Sequence, residues 1–251
     1  MLSVILLGTG NVAHHLFKAF SKVESVSVEQ VYGRNINSLK NFENQADVTS
    51  TSEAIKDADV YLIGVDDSSI TEVSNLLNAK NGLVAHTSGS VPMDAIEHEN
   101  RGVFYPLQSF TKGKEIDFSN IPICIEANND KEYEVLEKLG KAISTSVHRI
   151  TTKQRQALHL PAVFVNNFTN HLYQIAETLC EERDVPFELL RPLIMETADK
   201  IRFLSPNEAQ TGPAKRNDIE IMQQHLDSLK NPLRKKIYQL MSESIRESSR
   251  K

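Results

Sequence analysis

An apolar run, Leu2 to Leu7, ends in Gly8-Thr9-Gly10-Asn11-Val12-Ala13 and gives way to a segment of helical period. That order of strand, glycine turn and helix start constrains the chain more than any other feature in it. Gly8 permits a sharp turn, Gly10 lets a ligand come close to the backbone, and Ala13 lets the helix pack tightly on the strand. The free N–H groups of a helix N-terminus favour an anion there. The stretch therefore predicts a pyrophosphate site at the start of a dinucleotide-binding fold, cradled by Gly8, Thr9, Gly10, Asn11 and Val12. The alternative is an ordinary glycine turn between a strand and a helix.

Short apolar runs recur up to about residue 150. They predict strands at Leu2–Leu7, Val26–Tyr32, Val60–Val65, Leu83–His86, Gly102–Tyr105, Pro122–Glu126 and Val147–Ile150. Helical patterns lie between them, at Val12–Lys22, Ile36–Glu43, Ser52–Lys56, Ser69–Leu77 and Lys131–Ile143. Ser52 reads as a helix cap before Glu53. Such alternation predicts an α/β domain over residues 1–150, a Rossmann doubly wound parallel sheet with helices on both faces. After Thr151 the strand signals stop. Leu158, Ala162, Val165, Phe168, Leu172, Ile175 and Leu179 form an apolar stripe along a long helical stretch. Pro161 either marks the first turn of a helix near His159 or kinks a longer one. Further helices are expected from Pro186, from Asp218 and after Asn231-Pro232. Residues 151–251 thus read as an all-α domain for substrate binding and dimerisation. A striped helix in so small a unit needs a partner chain to cover it, which predicts a homodimer.

Composition excludes several classes. Net charge is −5, with acids and bases mixed along the chain, so no basic block points to nucleic acid. No apolar run approaches the roughly 20 residues of a membrane span, and Leu2–Leu7 is too short for a signal-peptide core. Cys124 and Cys180 stand far apart, outside any metal-ligand spacing, and read as buried thiols of a reducing cytoplasm.

The second strand ends Val31-Tyr32-Gly33-Arg34-Asn35. An NAD site places an acid about 20 residues past the glycines, to hold the ribose 2′-OH. Here that position holds Gly33 or Arg34. Arg34, with Asn35 beside it, can pair with a 2′-phosphate and stack on adenine, which favours NADP over NAD. A solvated arginine is the alternative. Val65 and Asp66 end another strand, where ribose and nicotinamide would lie; Asp66 and Asp67 also suit a turn and cap for the following helix. His86-Thr87-Ser88-Gly89-Ser90 brings small residues to the sheet edge, so Ser88 and Gly89 leave room near the nicotinamide. His86 is either a general acid or a structural hydrogen-bonding group. Tyr105 and Gln108 are candidate walls of the cleft.

In the helical half, His159, Asn166 and Asn170 follow at +7 and +4, on one helix face. His159 can supply a proton while Asn166 aims a substrate, or the group is an amide network between helices. Lys153 and Arg155 either bind an acidic substrate or are solvated. Thr211-Gly-Pro-Ala-Lys-Arg-Asn-Asp218 is a tight loop that either reaches over a cleft or enters a helix through an Arg216–Asp218 contact.

Five segments carry a family resemblance: Gly8 to Ala13, His86 to Gly89, Tyr105-Pro-Leu-Gln-Ser-Phe110, Leu158-His159 with Asn166-Asn167, and Thr211 to Asp218. With them, nearly the whole chain resembles a family joining a Rossmann-like NAD(P)-binding domain to a C-terminal helical domain of unknown function. That family is similar to the group holding pyrroline-5-carboxylate reductase, the β-hydroxyacid dehydrogenases and the NADP oxidoreductases that use a deazaflavin coenzyme. The resemblance implies an NAD(P)-linked oxidoreductase with a helical dimerisation half. Two departures stand out. His159 with Asn166 or Asn167 only approximates the lysine–asparagine pair of β-hydroxyacid dehydrogenases. Tyr105-Pro106 stands where prephenate dehydrogenases have His-Pro. The expected activity is NADP-dependent hydride transfer on a small polar substrate (an imine, keto acid or hydroxy acid). Its rivals are a non-catalytic NADP-binding sensor or assembly protein, and a deazaflavin reductase, which needs a wide cleft beside Ser88 and Gly89.

Overall fold

The computed structural model describes residues 1–249, which divide into two compact units, Met1–Asn166 and a second beginning at Asn167. In the first, β1 (Leu2–Leu7), β2 (Val26–Tyr32), β3 (Asp47–Thr49), β4 (Val60–Ile63), β5 (Leu83–His86), β6 (Arg101–Pro106), β7 (Ile123–Ala127) and β8 (Val147–Arg149) form one sheet. Its order is β3-β2-β1-β4-β5-β6-β7-β8. Both neighbours of β1 run parallel to it. The sheet therefore grows outward in two directions from β1, and the crevice between the C-terminal ends of β1 and β4 is the switch point where such sheets bind ligands.

Strand alternation splits the core in two. Val4 and Leu6 of β1 face one layer with Leu16, Phe17 and Phe20 of α1 (Asn11–Phe20) and Leu136 and Leu139 of a later helix, Asp130–Ile143. Ile5 and Leu7 face the other, with Ile70 and Val73 of the helix Ile70–Asn75. Helices thus cover both faces, as a doubly wound sheet requires. In chain order the remaining short helix Ile36–Leu39 is α2, Ile70–Asn75 is α3 and Asp130–Ile143 is α4.

The sheet departs from the wholly parallel expectation at one pair: β7 runs antiparallel to β6. The connection over 107–122 carries no helix to form a crossover, so the chain returns beside the strand it left. β3 was not foreseen, because Asp47-Val48-Thr49 offers a single apolar residue. The helix expected from Ser52 is one 3-10 turn, Ser52–Ala54, entered through Thr51.

α5 (Thr152–Ala162) belongs to the first unit and opens with a capping box between Thr151 and Gln154. Pro161 lies inside it, and a π-helical stretch, Val163–Phe168, follows. A proline removes one i→i−4 hydrogen bond, and the wider π turn comes directly after that gap. The second unit holds α6 (Thr169–Glu181), α7 (Arg191–Asp199), α8 (Pro206–Ala209), α9 (Pro213–Arg216), α10 (Ile219–Ser228) and α11 (Pro232–Ser248). In the 211–218 segment Gly212 takes φ +106°, Asn217 is left-handed, and the Asp218 carboxylate caps α10 by accepting from the Ile221 N–H. No helix among the described residues is long and apolar enough to cross a membrane. Cys124 is buried and Cys180 only partly so; both are free thiols.

Candidate functional site

The two motif glycines answer to different demands. Gly8 has φ +128°, and a Cβ there would lie 2.3 Å from the Gly64 carbonyl oxygen. Gly64 in turn faces Ala13: a Cβ on it would stand 3.4 Å from the Ala13 Cβ. Gly8, Gly64 and Ala13 thus lock the ends of β1 and β4 to the start of α1. Gly64 had no local signal in the sequence, since its partner lies far along the chain. Gly10 caps α1 at an ordinary φ of −76°, and the nearest protein atom to a Cβ there is 3.8 Å away. Nothing in the protein requires a glycine at that point. The open space beside the helix N-terminus is a cradle that a side chain would fill, which fits a bound pyrophosphate.

The cleft in front of this turn measures about 350 Å3 and includes Gly8 to Val12. Arg34 and Asn35 form one wall, and Val65, Asp66, Ser69 and Thr87 line the other side. Gly33 brings the end of β2 onto the glycine turn: a Cβ would stand 2.6 Å from Thr9 Cγ2. The Asn35 side chain accepts from the N–H groups of Asn37 and Ser38 and so fixes the segment that carries Arg34. The Arg34 guanidinium is largely exposed, 3.8 Å from Glu72 Oε1. A helix N-terminus, the space at Gly10 and a cation across the cleft fit a dinucleotide bearing a 2′-phosphate. The Asn11 amide donates to the Phe110 carbonyl at 3.0 Å, and His15 Nε2 meets the Thr111 carbonyl at 3.0 Å. α1 is thereby tied to the loop that follows Tyr105.

The expected capping role of the aspartates is not what the structure shows. Neither side chain caps α3; Asp67 accepts from the Ser90 hydroxyl, which joins the β4 and β5 loops. Ser88 Oγ accepts from the N–H groups of Ser90 and Val91, each at 3.1 Å. His86 is fully buried, and its Nδ1 accepts from the Ser88 N–H at 3.1 Å. Its Nε2 is buried without a hydrogen-bond partner among the described residues. Burial, followed by the nearby Arg155 charge, pushes the ring's pKa down to about 4. The unfolded chain takes this proton near 6.5, so below that pH protons bind preferentially to the unfolded state. The stability contributed by the neutral ring is complete above 6.5 and is lost as pH falls towards 4. His86→Asn, which keeps an acceptor for Ser88, is expected to flatten the melting temperature across that window; a slope equal to the parent's would contradict this.

Gly89 sits where two polar side chains converge. A Cβ on it would lie 2.9 Å from the Tyr105 hydroxyl and 3.1 Å from His159 Nδ1. Burial, then Cys124, raises the Tyr105 pKa, so the phenol keeps its proton. His159 is exposed on α5. The same-face argument for Asn166 does not hold in this form: the π turn takes an extra residue, so Asn166 is rotated away from the line above His159.

Arg155 is neither solvated nor free for a substrate. Its side chain is fully buried, with both terminal nitrogens on the Val91 carbonyl at 3.0 and 2.8 Å. It also reaches Glu126 Oε2 at 3.4 Å, and Thr152 donates its N–H and hydroxyl to the same carboxylate. Gln156 binds the Ser90 carbonyl at 2.8 Å. One turn of α5 therefore pins the Ser88–Val91 loop directly below His159.

A doubly wound sheet with a glycine turn at its switch point defines a Rossmann-type, nucleotide-binding architecture. The family described as NADP oxidoreductase, coenzyme F420-dependent, matches residues 3–87, and a domain of unknown function, DUF2520, matches residues 121–245. A Bacteroides fragilis protein designated an NADP oxidoreductase is 36% identical, with 98% of each chain covered and a TM-score of 0.91. Protein TM1727 of Thermotoga maritima is 22% identical, covering 99% of this chain and 100% of that one, with a TM-score of 0.82. An imine reductase from Myxococcus stipitatus, solved with NADP+, shares the fold at 15% identity over 99% and 93% of the chains, with a TM-score of 0.63. No curated protein matches the chain. The chain belongs to the family of the Bacteroides fragilis NADP oxidoreductase, and is an NAD(P)-dependent oxidoreductase of the Rossmann type.

Proposed function

We propose that this oxidoreductase uses NADP to move a hydride to or from a small polar substrate, an imine, keto acid or hydroxy acid. Gly8, Thr9, Gly10, Asn11 and Val12 hold the pyrophosphate, Arg34 and Asn35 the 2′-phosphate end, and Val65 and Asp66 the ribose next to the nicotinamide. Ser88 and Gly89 border the nicotinamide. The cofactor, when bound, supplies the hydride. The chain's own residues orient the substrate and handle the proton. The observation that carries this reading is the convergence of the Tyr105 hydroxyl and His159 Nδ1 on Gly89, two residues along from Thr87 in the cleft wall. His159 donates the proton to the substrate oxygen or nitrogen, with Tyr105 beside it. His86, buried and neutral, anchors the loop beneath. Gly89 is hemmed in by two side chains, which favours a small substrate over a bulky deazaflavin.

Residues 1–150 serve the nucleotide and residues 151–251 the substrate and the subunit contact. Apolar side chains left in water, among them Phe203 at 76% exposure and Leu193 at 61%, support a homodimer through the helical part. A monomer mass at micromolar concentration would remove that part of the proposal. Two free thiols suit a reducing cytoplasm. The catalytic reading is tested by following NADPH consumption across small oxo acids, ketones and cyclic imines. His159→Gln is expected to lower kcat by about a hundredfold while leaving NADPH affinity unchanged. Absence of turnover with every member of the panel would remove the substrate class.

A further inference from the structure

Among the residues lining the nucleotide cleft, Arg34 is the cation and Asp66 the anion. Any 2′-phosphate in this cleft depends on Arg34 for its countercharge. Arg34 is not idle, however. Its Nη1 lies 3.8 Å from Glu72 Oε1, across the mouth from the β2 wall to α3. Both ends of this pair are anchored at the backbone. Gly33 donates its N–H to the Thr49 carbonyl at 3.1 Å, and the Asn35 side chain caps the next turn. On α3, Ile70 and Val73 are buried in the core and Val73 also lines the cleft, which fixes the helix that presents Glu72 at the rim. The two side chains themselves are free to move, at 66% and 72% exposure.

We propose that Glu72 is a selectivity residue that competes with the cofactor's 2′-phosphate for Arg34 and so restrains the preference for NADP over NAD. The proposal rests on the nucleotide assignment above. A single exposed contact at 3.8 Å is weak and is readily exchanged for a phosphate, which offers Arg34 paired, charge-assisted hydrogen bonds. The exchange still has a cost, because the carboxylate gives up its partner and stays beside a second anion. NADH, with a ribose hydroxyl there, demands no such exchange.

The test is direct binding of NADPH and NADH to the full chain by calorimetry, for the parent, Glu72→Gln, Arg34→Ala and the double variant. Glu72→Gln is expected to tighten NADPH about two- to fivefold, the range of an exposed ion pair, and to leave NADH unchanged. The gain is expected to shrink at high ionic strength and to be mostly lost in the Arg34→Ala background. Glu72 is exposed, so an unchanged melting temperature verifies the fold of the variant. No gain, an equal gain for NADH, or a gain undiminished without Arg34 overturns the proposal. A parent that binds neither dinucleotide overturns the nucleotide assignment itself, an outcome distinct from these three.

Discussion

Gly8→Ala is expected to destabilise the fold by about 3 kcal/mol or more, whereas Gly10→Ala leaves stability near the parent's and weakens cofactor binding. At Gly8 an alanine must adopt φ +128°, a conformation that itself costs about 1–3 kcal/mol. Its Cβ would also stand 2.3 Å from a backbone oxygen at Gly64, which no rotamer change relieves. The end of β1 would have to separate from β4 at the switch point of the sheet. At Gly10 the backbone is already in a region that alanine occupies freely, with no protein atom nearer than 3.8 Å to the new methyl. The methyl would instead occupy the space in front of the α1 N-terminus, and NADPH affinity is expected to fall about tenfold or more. Thermal unfolding and cofactor titration of both variants separate the two roles. Equal loss of stability at both positions would show that Gly10 serves the fold and would weaken the cradle assignment.

The second large effect lies at Arg155. Arg155→Ala is expected to cost about 3–5 kcal/mol, the range found when one partner of a buried ion pair is removed. It would leave the Glu126 carboxylate without its cation and the Val91 carbonyl without its two donors. Because the same contacts pin the Ser88–Val91 loop below His159, the loss extends to the corner where His159 and Tyr105 meet at Gly89. Arg155→Met combined with Glu126→Gln keeps the volume, removes the orphaned charge, and is expected to recover part of the stability. Chemical denaturation measures both; an Arg155→Ala variant as stable as the parent would refute the buried anchor.

These two sites show what local sequence carries and what it does not. The Gly8–Ala13 turn, the alternation of strands and helices, and Arg34 at the end of β2 are local patterns, and each follows from spacing and residue type. His159 and Gly89 were also legible as candidates, as was Tyr105 as a wall residue. Their meeting was not, since it depends on α5 docking against the ends of β5 and β6. The same holds for Gly64, whose backbone carbonyl meets Gly8 from 56 residues away. Arg155 read as a surface or substrate-binding cation, because a charged side chain at a helix start is usually solvated. Only the fold brings Val91, Thr152 and Glu126 around it. The +7 spacing from His159 to Asn166 presumed an uninterrupted α-helix, and the π turn after Pro161 broke that premise.

The central claim is that the cleft between Gly10 and Arg34 holds NADP. It is tested most directly by titrating NADPH and NADH into the parent chain and Arg34→Ala under the same ionic strength. The account predicts that the parent prefers NADPH, and that Arg34→Ala weakens NADPH about tenfold or more with little change for NADH. Equal weakening of both dinucleotides, or no binding of either to the parent, would contradict it.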